Sequence, residues 1–157
     1  MPNLSDLNKT DLEDRKRGLE DFSSVLKDLQ IPFMLCDGVL LGAVREGNFI
    51  QWDWNVELSS KIENIFDKSD RLLELLKDQG FDIVHVNLEW ENYKITASKF
   101  KNQYTLIGFY KKGALRVRST WAYPCIFFDN LEGNDLDCYN FLLTQIFYKN
   151  KKQIFVI

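Results

Sequence analysis

Leu12, Leu19, Phe22, Val25, Leu26 and Leu29 fall at helical spacing with charged residues between them, which predicts an amphipathic helix over 11–30. Thr10 and Glu13 have the spacing of a capping box at its start. Pro32 forbids continuation, and the apolar run Phe33 to Cys36 reads as a short buried strand. Val39 to Val44 predicts one or two helical turns. Asn55 to Leu58 then alternates polar and apolar residues, as a strand with one functional face would. Ser60 and Glu63 repeat the capping-box spacing ahead of a stripe of Ile62, Ile65, Phe66, Leu72, Leu73 and Leu76, which Gly80 is placed to end. Beyond it, Phe81–Leu88, Tyr93–Ser98, Tyr104–Tyr110 and Leu115–Arg118 are strand-like, with Lys111-Lys112-Gly113 as a hairpin loop. Helices first and strands later predict an α+β fold in one domain spanning 1–157.

Composition narrows the picture. At 157 residues there is room for one proper core and not two. Twelve Phe and four Trp predict a core built around large rings. A formal net charge of -3 argues against a nucleic-acid partner, which draws a basic surface. Cys36, Cys125 and Cys138 are far apart and form no C-x-x-C pair, so they read as reduced, buried thiols. With no signal-like leader and no apolar run of membrane-spanning length, the expectation is a cytoplasmic protein. Oligomeric state is not encoded in any feature of this kind.

The chemistry concentrates between Leu35 and Leu58, LCDGVLLGAVREGNFIQWDWNVEL. A strand ends at Asp37-Gly38, where glycine permits close approach to the backbone, and a short helix follows whose first amides suit a phosphate. Asp53, Asn55 and Glu57 recur at every second position, so a strand would aim all three into one pocket. Hard oxygen ligands gathered in this way suit Mg²⁺ or Mn²⁺, which also bind substrate phosphates. The plainer alternative is that Asp53 and Glu57 are solvated carboxylates near a strand.

Taken together, Asp37-Gly38-Val39-Leu40-Leu41-Gly42-Ala43-Val44-Arg45 and Phe49-Ile50-Gln51-Trp52-Asp53-Trp54-Asn55-Val56-Glu57 resemble the signature of the LicD and fukutin family. A looser likeness continues through Asn92–Ile95, Tyr104–Gly108 and Phe127–Glu132. The resemblance implies a nucleotidyltransferase-like mixed or antiparallel sheet with flanking helices. It also implies metal-dependent transfer of a phospho-alcohol group, phosphocholine-like or polyol-phosphate-like, from a CDP-linked donor to a glycan acceptor during its intracellular assembly. By position, Asp53, Asn55 and Glu57 match the family's metal-binding acidic triplet, and Gly38 and Arg45 its glycine turn and basic position. An anionic donor makes Arg116 and Arg118, which share a strand face, a candidate phosphate-binding pair beside the plainer reading of a solvated sheet face.

Several departures from the pattern set an alternative against turnover. Asn55 stands where the family has Asp, removing a full ligand charge, and Tyr104–Gly108 carries no third carboxylate, leaving Asp129 and Glu132 as candidates. From Gly133 to Ile157 the sequence reads as an atypical or truncated tail. A catalytically inactive relative that binds nucleotide or a partner protein is the competing expectation. Trp52 and Trp54 alternate with the oxygen-bearing residues, so they are expected to pack as core on the other face, with base stacking as the alternative. His85, the only histidine, reads as an ordinary polar-face residue.

Overall fold

A computed structural model describes the backbone of residues 4–112, 115–118 and 125–128, and the side chains of 11–111, 116 and 117. Asp129, Glu132, Cys138 and the tail from 133 lie outside the described residues. Among the described residues there are four α-helices and seven strands: α1 (Leu4–Asp28), β1 (Met34–Leu35), α2 (Asp37–Glu46), β2 (Asn55–Lys61), α3 (Ile62–Ile65), α4 (Ser69–Asp78), β3 (Asp82–Asn87), β4 (Lys94–Lys99), β5 (Asn102–Lys112), β6 (Leu115–Arg118) and β7 (Cys125–Phe128). The fold is α+β, as the order of periodicities predicts.

The strands form one mixed sheet in the order β1-β2-β5-β4-β3, with β6 and β7 continuing from the far end of β5. Among the described strands β2 and β5 alone run parallel, Asn55 opposite Gln103 and Glu57 opposite Thr105. β1 pairs antiparallel with β2. Strand alternation then divides the central sheet into two faces. Val56, Leu58, Tyr104, Leu106, Ile95 and Ala97 are buried among Phe22, Val25 and Leu26 of α1 and Leu72 and Leu76 of α4. Each such aliphatic or aromatic side chain taken out of water contributes roughly 1.5–3 kcal/mol. Large rings do gather here: Phe22 stacks on Tyr104 at 5.5–6 Å scale, with centroids 6.0 Å apart, and Phe81 meets both edge-on at 5.5 Å. On the opposite face, Glu57 and Thr105 are level with Thr96, whose hydroxyl lies 3.1 Å from that of Thr105.

Several local expectations are corrected. The first helix begins at Leu4, so Thr10 and Glu13 are interior rather than a capping box, because apolar positions at Leu4 and Leu7 already continue the stripe. Ser60 is not a helix cap either: it belongs to β2 and its hydroxyl donates to the Pro32 carbonyl. The long helix foreseen after it is broken into α3, a 3-10 turn at Phe66–Lys68, and α4. Ser69 Oγ bonds the Phe66 carbonyl at 2.6 Å, a local serine-to-backbone contact that competes with regular helix. Gly80 ends α4 with φ 80 as foreseen. Lys111 and Lys112 lie within β5, and the pairing of Lys112 with Leu115 leaves only 113–114 between the strands.

Two buried phenols give the fold an alkaline limit. Burial pushes the Tyr104 hydroxyl well above its ordinary 10.0, and burial likewise raises that of Tyr93 against the opposing hydrogen bond from Ser69. Below pH 10 both states keep these protons; above it the unfolded chain releases them first, so stability falls as pH rises. The thermal midpoint is expected to drop steadily above about pH 10, and Tyr104→Phe is expected to flatten that decline. Calorimetry across this range measures both slopes.

Candidate active site

Three chain segments converge at the start of β2. Cys36 donates its amide to the Glu57 carbonyl at 3.0 Å, and Ser59 Oγ lies 3.0 Å from Cys36 Sγ, so the end of β1 is fastened to the strand that carries the oxygens. The chain then turns into α2 through Asp37, whose φ of 51 is left-handed. Asp tolerates that conformation better than most residues. It is therefore Asp37 that makes the backbone turn, while Gly38 supplies space.

What fills that space is Asp53. A Cβ placed on Gly38 would stand 2.0 Å from Asp53 Oδ2, far inside any real contact. The carboxylate thus rests against the bare Cα in the first turn of α2, at the helix end that favours negative charge. The other oxygen, Asp53 Oδ1, accepts the Asn55 amide at 3.1 Å. Asn55 Nδ2 donates to Glu57 Oε1 at 3.2 Å, so Asp53, Asn55 and Glu57 form a chain of contacts on one side of the strand. Asn55 Oδ1 is left buried with no hydrogen-bond partner among the described residues. A buried acceptor without a partner costs free energy that a ligand would recover.

The loop that delivers Asp53 is held from two directions. A Cβ on Gly42 would meet the Asn48 carbonyl at 2.6 Å and the Ile50 amide at 2.8 Å, so only glycine lets the returning chain lie on α2. Gly47, at φ 64, turns the helix end into that return. From the other side, Arg15 of α1 reaches in, only 2% exposed, and donates Nη1 to the Ile50 carbonyl at 3.0 Å. Its charged run, LEDRKR, looks like a solvated helix face, so nothing in the sequence singled this arginine out.

Residues 30–129 match the LicD/FKTN/FKRP nucleotidyltransferase domain. The chain belongs to this family. Membership carries a phosphotransferase-type function, with a nucleotide-linked donor and a glycan acceptor at a coarse level. A search of curated proteins finds no significant match to the chain.

The remaining candidates are scattered. Arg45 is exposed on the last turn of α2, about 10 Å of helix rise from Gly38, and its guanidinium pairs with Glu46. Arg116 sits opposite Lys111, roughly 25 Å along β5 from Gln103, the neighbour of Asn55, and it grips Glu63 with contacts of 2.7 and 2.9 Å. The structure therefore brings neither to the Asp53 pocket. Arg118 is in β6, but its side chain lies outside the described residues. Trp52 and Trp54 are not core, being 77% and 54% exposed. Trp52 sits in the turn closed by the Asp53 amide on the Ile50 carbonyl, and Trp54 precedes the first residue of β2, so neither is inside the sheet's packed region. His85 is exposed on edge strand β3, where a bulge at Val84 sets it opposite Thr96.

The oxygens at the start of β2 are of the kind that could hold a divalent cation. Asp53 and Glu57 supply hard anionic oxygens, and the orphaned Asn55 Oδ1 a neutral one. No group of three His, Cys, Asp or Glu side chains that could hold a metal is gathered among the described residues. The steric argument at Gly38 can be tested directly. Gly38→Ala is expected to push Asp53 aside and weaken Mn²⁺ binding about 10- to 100-fold, as read by electron paramagnetic resonance, while Val86→Ala, exposed on the edge strand β3, leaves binding near wild type.

Proposed function

We propose that this chain transfers a phospho-alcohol group, phosphocholine-like or polyol-phosphate-like, from a CDP-linked donor to a hydroxyl of a glycan. The observation that carries the reading is the contact chain from Gly38 through Asp53 and Asn55 to Glu57, with a buried amide oxygen left over. In this reading Asp53, Asn55 and Glu57 hold Mg²⁺ or Mn²⁺. When bound, the ion would polarise donor phosphate oxygens and offset their charge.

The protein's own groups do the rest. The first turn of α2 offers backbone amides to the donor phosphate beside Gly38. Asp53 or Glu57 accepts the proton of the attacking glycan hydroxyl. That oxygen then bonds to the phosphorus bearing the alcohol, the bridging P–O bond breaks, and cytidine monophosphate leaves with the electron pair.

One observation favours the second reading, an inactive relative that binds nucleotide. Asn55 is neutral, and its Nδ2 already occupies one oxygen of Glu57, so the pocket both lacks a charge and shields another. The two readings part in one experiment. With Mn²⁺ and either CDP-choline or CDP-ribitol plus a glycan acceptor, the native chain is expected to release cytidine monophosphate, and Asp53→Asn to abolish release. Asn55→Asp is expected to tighten Mn²⁺ binding on the order of tenfold. No release by the native chain together with release by Asn55→Asp would establish the inactive reading.

A further inference from the structure

Arg15 is among the largest fully buried side chains of the described residues, and it lies in α1, outside the 30–129 span that matches the family domain. A guanidinium in that position is costly to bury unless every donor is spent. Here they are directed outward from α1 in three directions. Nε donates to Asn102 Oδ1 at 3.1 Å, Nη1 to the Ile50 carbonyl at 3.0 Å and Nη2 to Asp11 Oδ2 at 3.0 Å, with the Phe49 ring 5.5 Å from Cζ. Asn102 is itself buried and anchored through Nδ2 to the Phe100 carbonyl at 2.9 Å. The Arg15 carbonyl accepts the Tyr104 hydroxyl at 3.0 Å, so its backbone is fixed as well.

One atom connects this cluster to the candidate site. The Ile50 carbonyl that receives Arg15 Nη1 also accepts the Asp53 amide at 3.1 Å. A carbonyl has two lone pairs, and here one goes to the guanidinium and the other closes the turn that presents Asp53. Asn102 borders Gln103, whose amide bonds the Trp54 carbonyl at 3.2 Å on the other side of Asp53. The fork of Arg15 therefore spans both flanks of the segment 50–54.

We propose that Arg15 is a positioning residue: through the Ile50 carbonyl it sets the turn that seats the Asp53 carboxylate against Gly38, making α1 part of the catalytic unit. Its planar fork, and not its charge alone, is what the three acceptors require, so lysine is not an adequate replacement. The importance of Asp53 here rests on the transferase reading above, but the geometry claim does not.

The full chain carrying Arg15→Lys or Arg15→Ala tests this, with three readouts taken well below the thermal midpoint. Amide exchange of Asp53 by NMR is expected to accelerate at least tenfold over neighbouring core amides such as Val56. Mn²⁺ affinity by electron paramagnetic resonance is expected to fall about tenfold. Added guanidinium ion is expected to restore both in Arg15→Ala and to restore nothing in Asp53→Asn. Should Arg15→Ala fail to fold, Arg15→Lys, which fills the same space and keeps the charge, carries the measurement. A lowered midpoint with Asp53 exchange unchanged from wild type would make Arg15 merely structural and overturn the proposal. If the wild-type chain binds no Mn²⁺, the transferase reading fails, and Asp53 exchange, which needs no metal, still decides the role of Arg15.

Discussion

The contact between the Asp53 carboxylate and the bare Cα of Gly38 is the constraint around which the rest of the molecule is arranged. It requires α2 to begin beside β2, which the Cys36 amide on the Glu57 carbonyl enforces. It also requires the chain to double back over α2, which Gly42 permits by having no side chain under Ile50. Removing a single hydrogen's worth of space at either glycine separates the helix start from the carboxylate. The first-turn amides of α2 and the oxygens of Asp53, Asn55 and Glu57 then no longer adjoin.

The sheet contributes the second half of the arrangement. Parallel pairing of β2 with β5 places Thr105 beside Glu57, where a nucleotidyltransferase-like site would draw a further carboxylate from the neighbouring strand. Thr105 instead spends its hydroxyl on Thr96. A neutral threonine beside Glu57 and a neutral amide at Asn55 leave the pocket with less negative charge than three carboxylates would give it. Under the proposed transferase reading, that lower charge sets how strongly a divalent ion would be held.

Much of this was legible in the amino-acid pattern because it depends on local spacing. The alternation of Asp53, Asn55 and Glu57 is a two-residue period, and the structure links them in series, the Asp53 carboxylate to the Asn55 backbone amide and the Asn55 side-chain amide to Glu57, although Asp53 itself precedes β2. The glycine at 38 was legible as a point of close approach, although what approaches it is Asp53. Periodicity could not reveal where the segment 52–54 sits relative to the core: alternation assigns a face, but Trp52 and Trp54 lie outside the region that the helices cover. It also could not distinguish Arg15 from the charges around it, because burial of a guanidinium depends on acceptors 35 and 87 residues away. The capping-box spacings at Thr10 and Ser60 misled for a related reason. Three-residue spacing is common in any charged helix, and only tertiary context decides whether a helix begins there.

That dependence on distant partners has a consequence for how the molecule forms. The turn carrying Asp53 is complete only once residue 15 has met both residue 50 and residue 102, loops of 35 and 87 residues. Local helices close early and cheaply, whereas such long loops close late because their entropy must be surrendered before any contact rewards it. The supports of this turn therefore cannot all be in place until the chain as far as Asn102 has been made and has met Arg15.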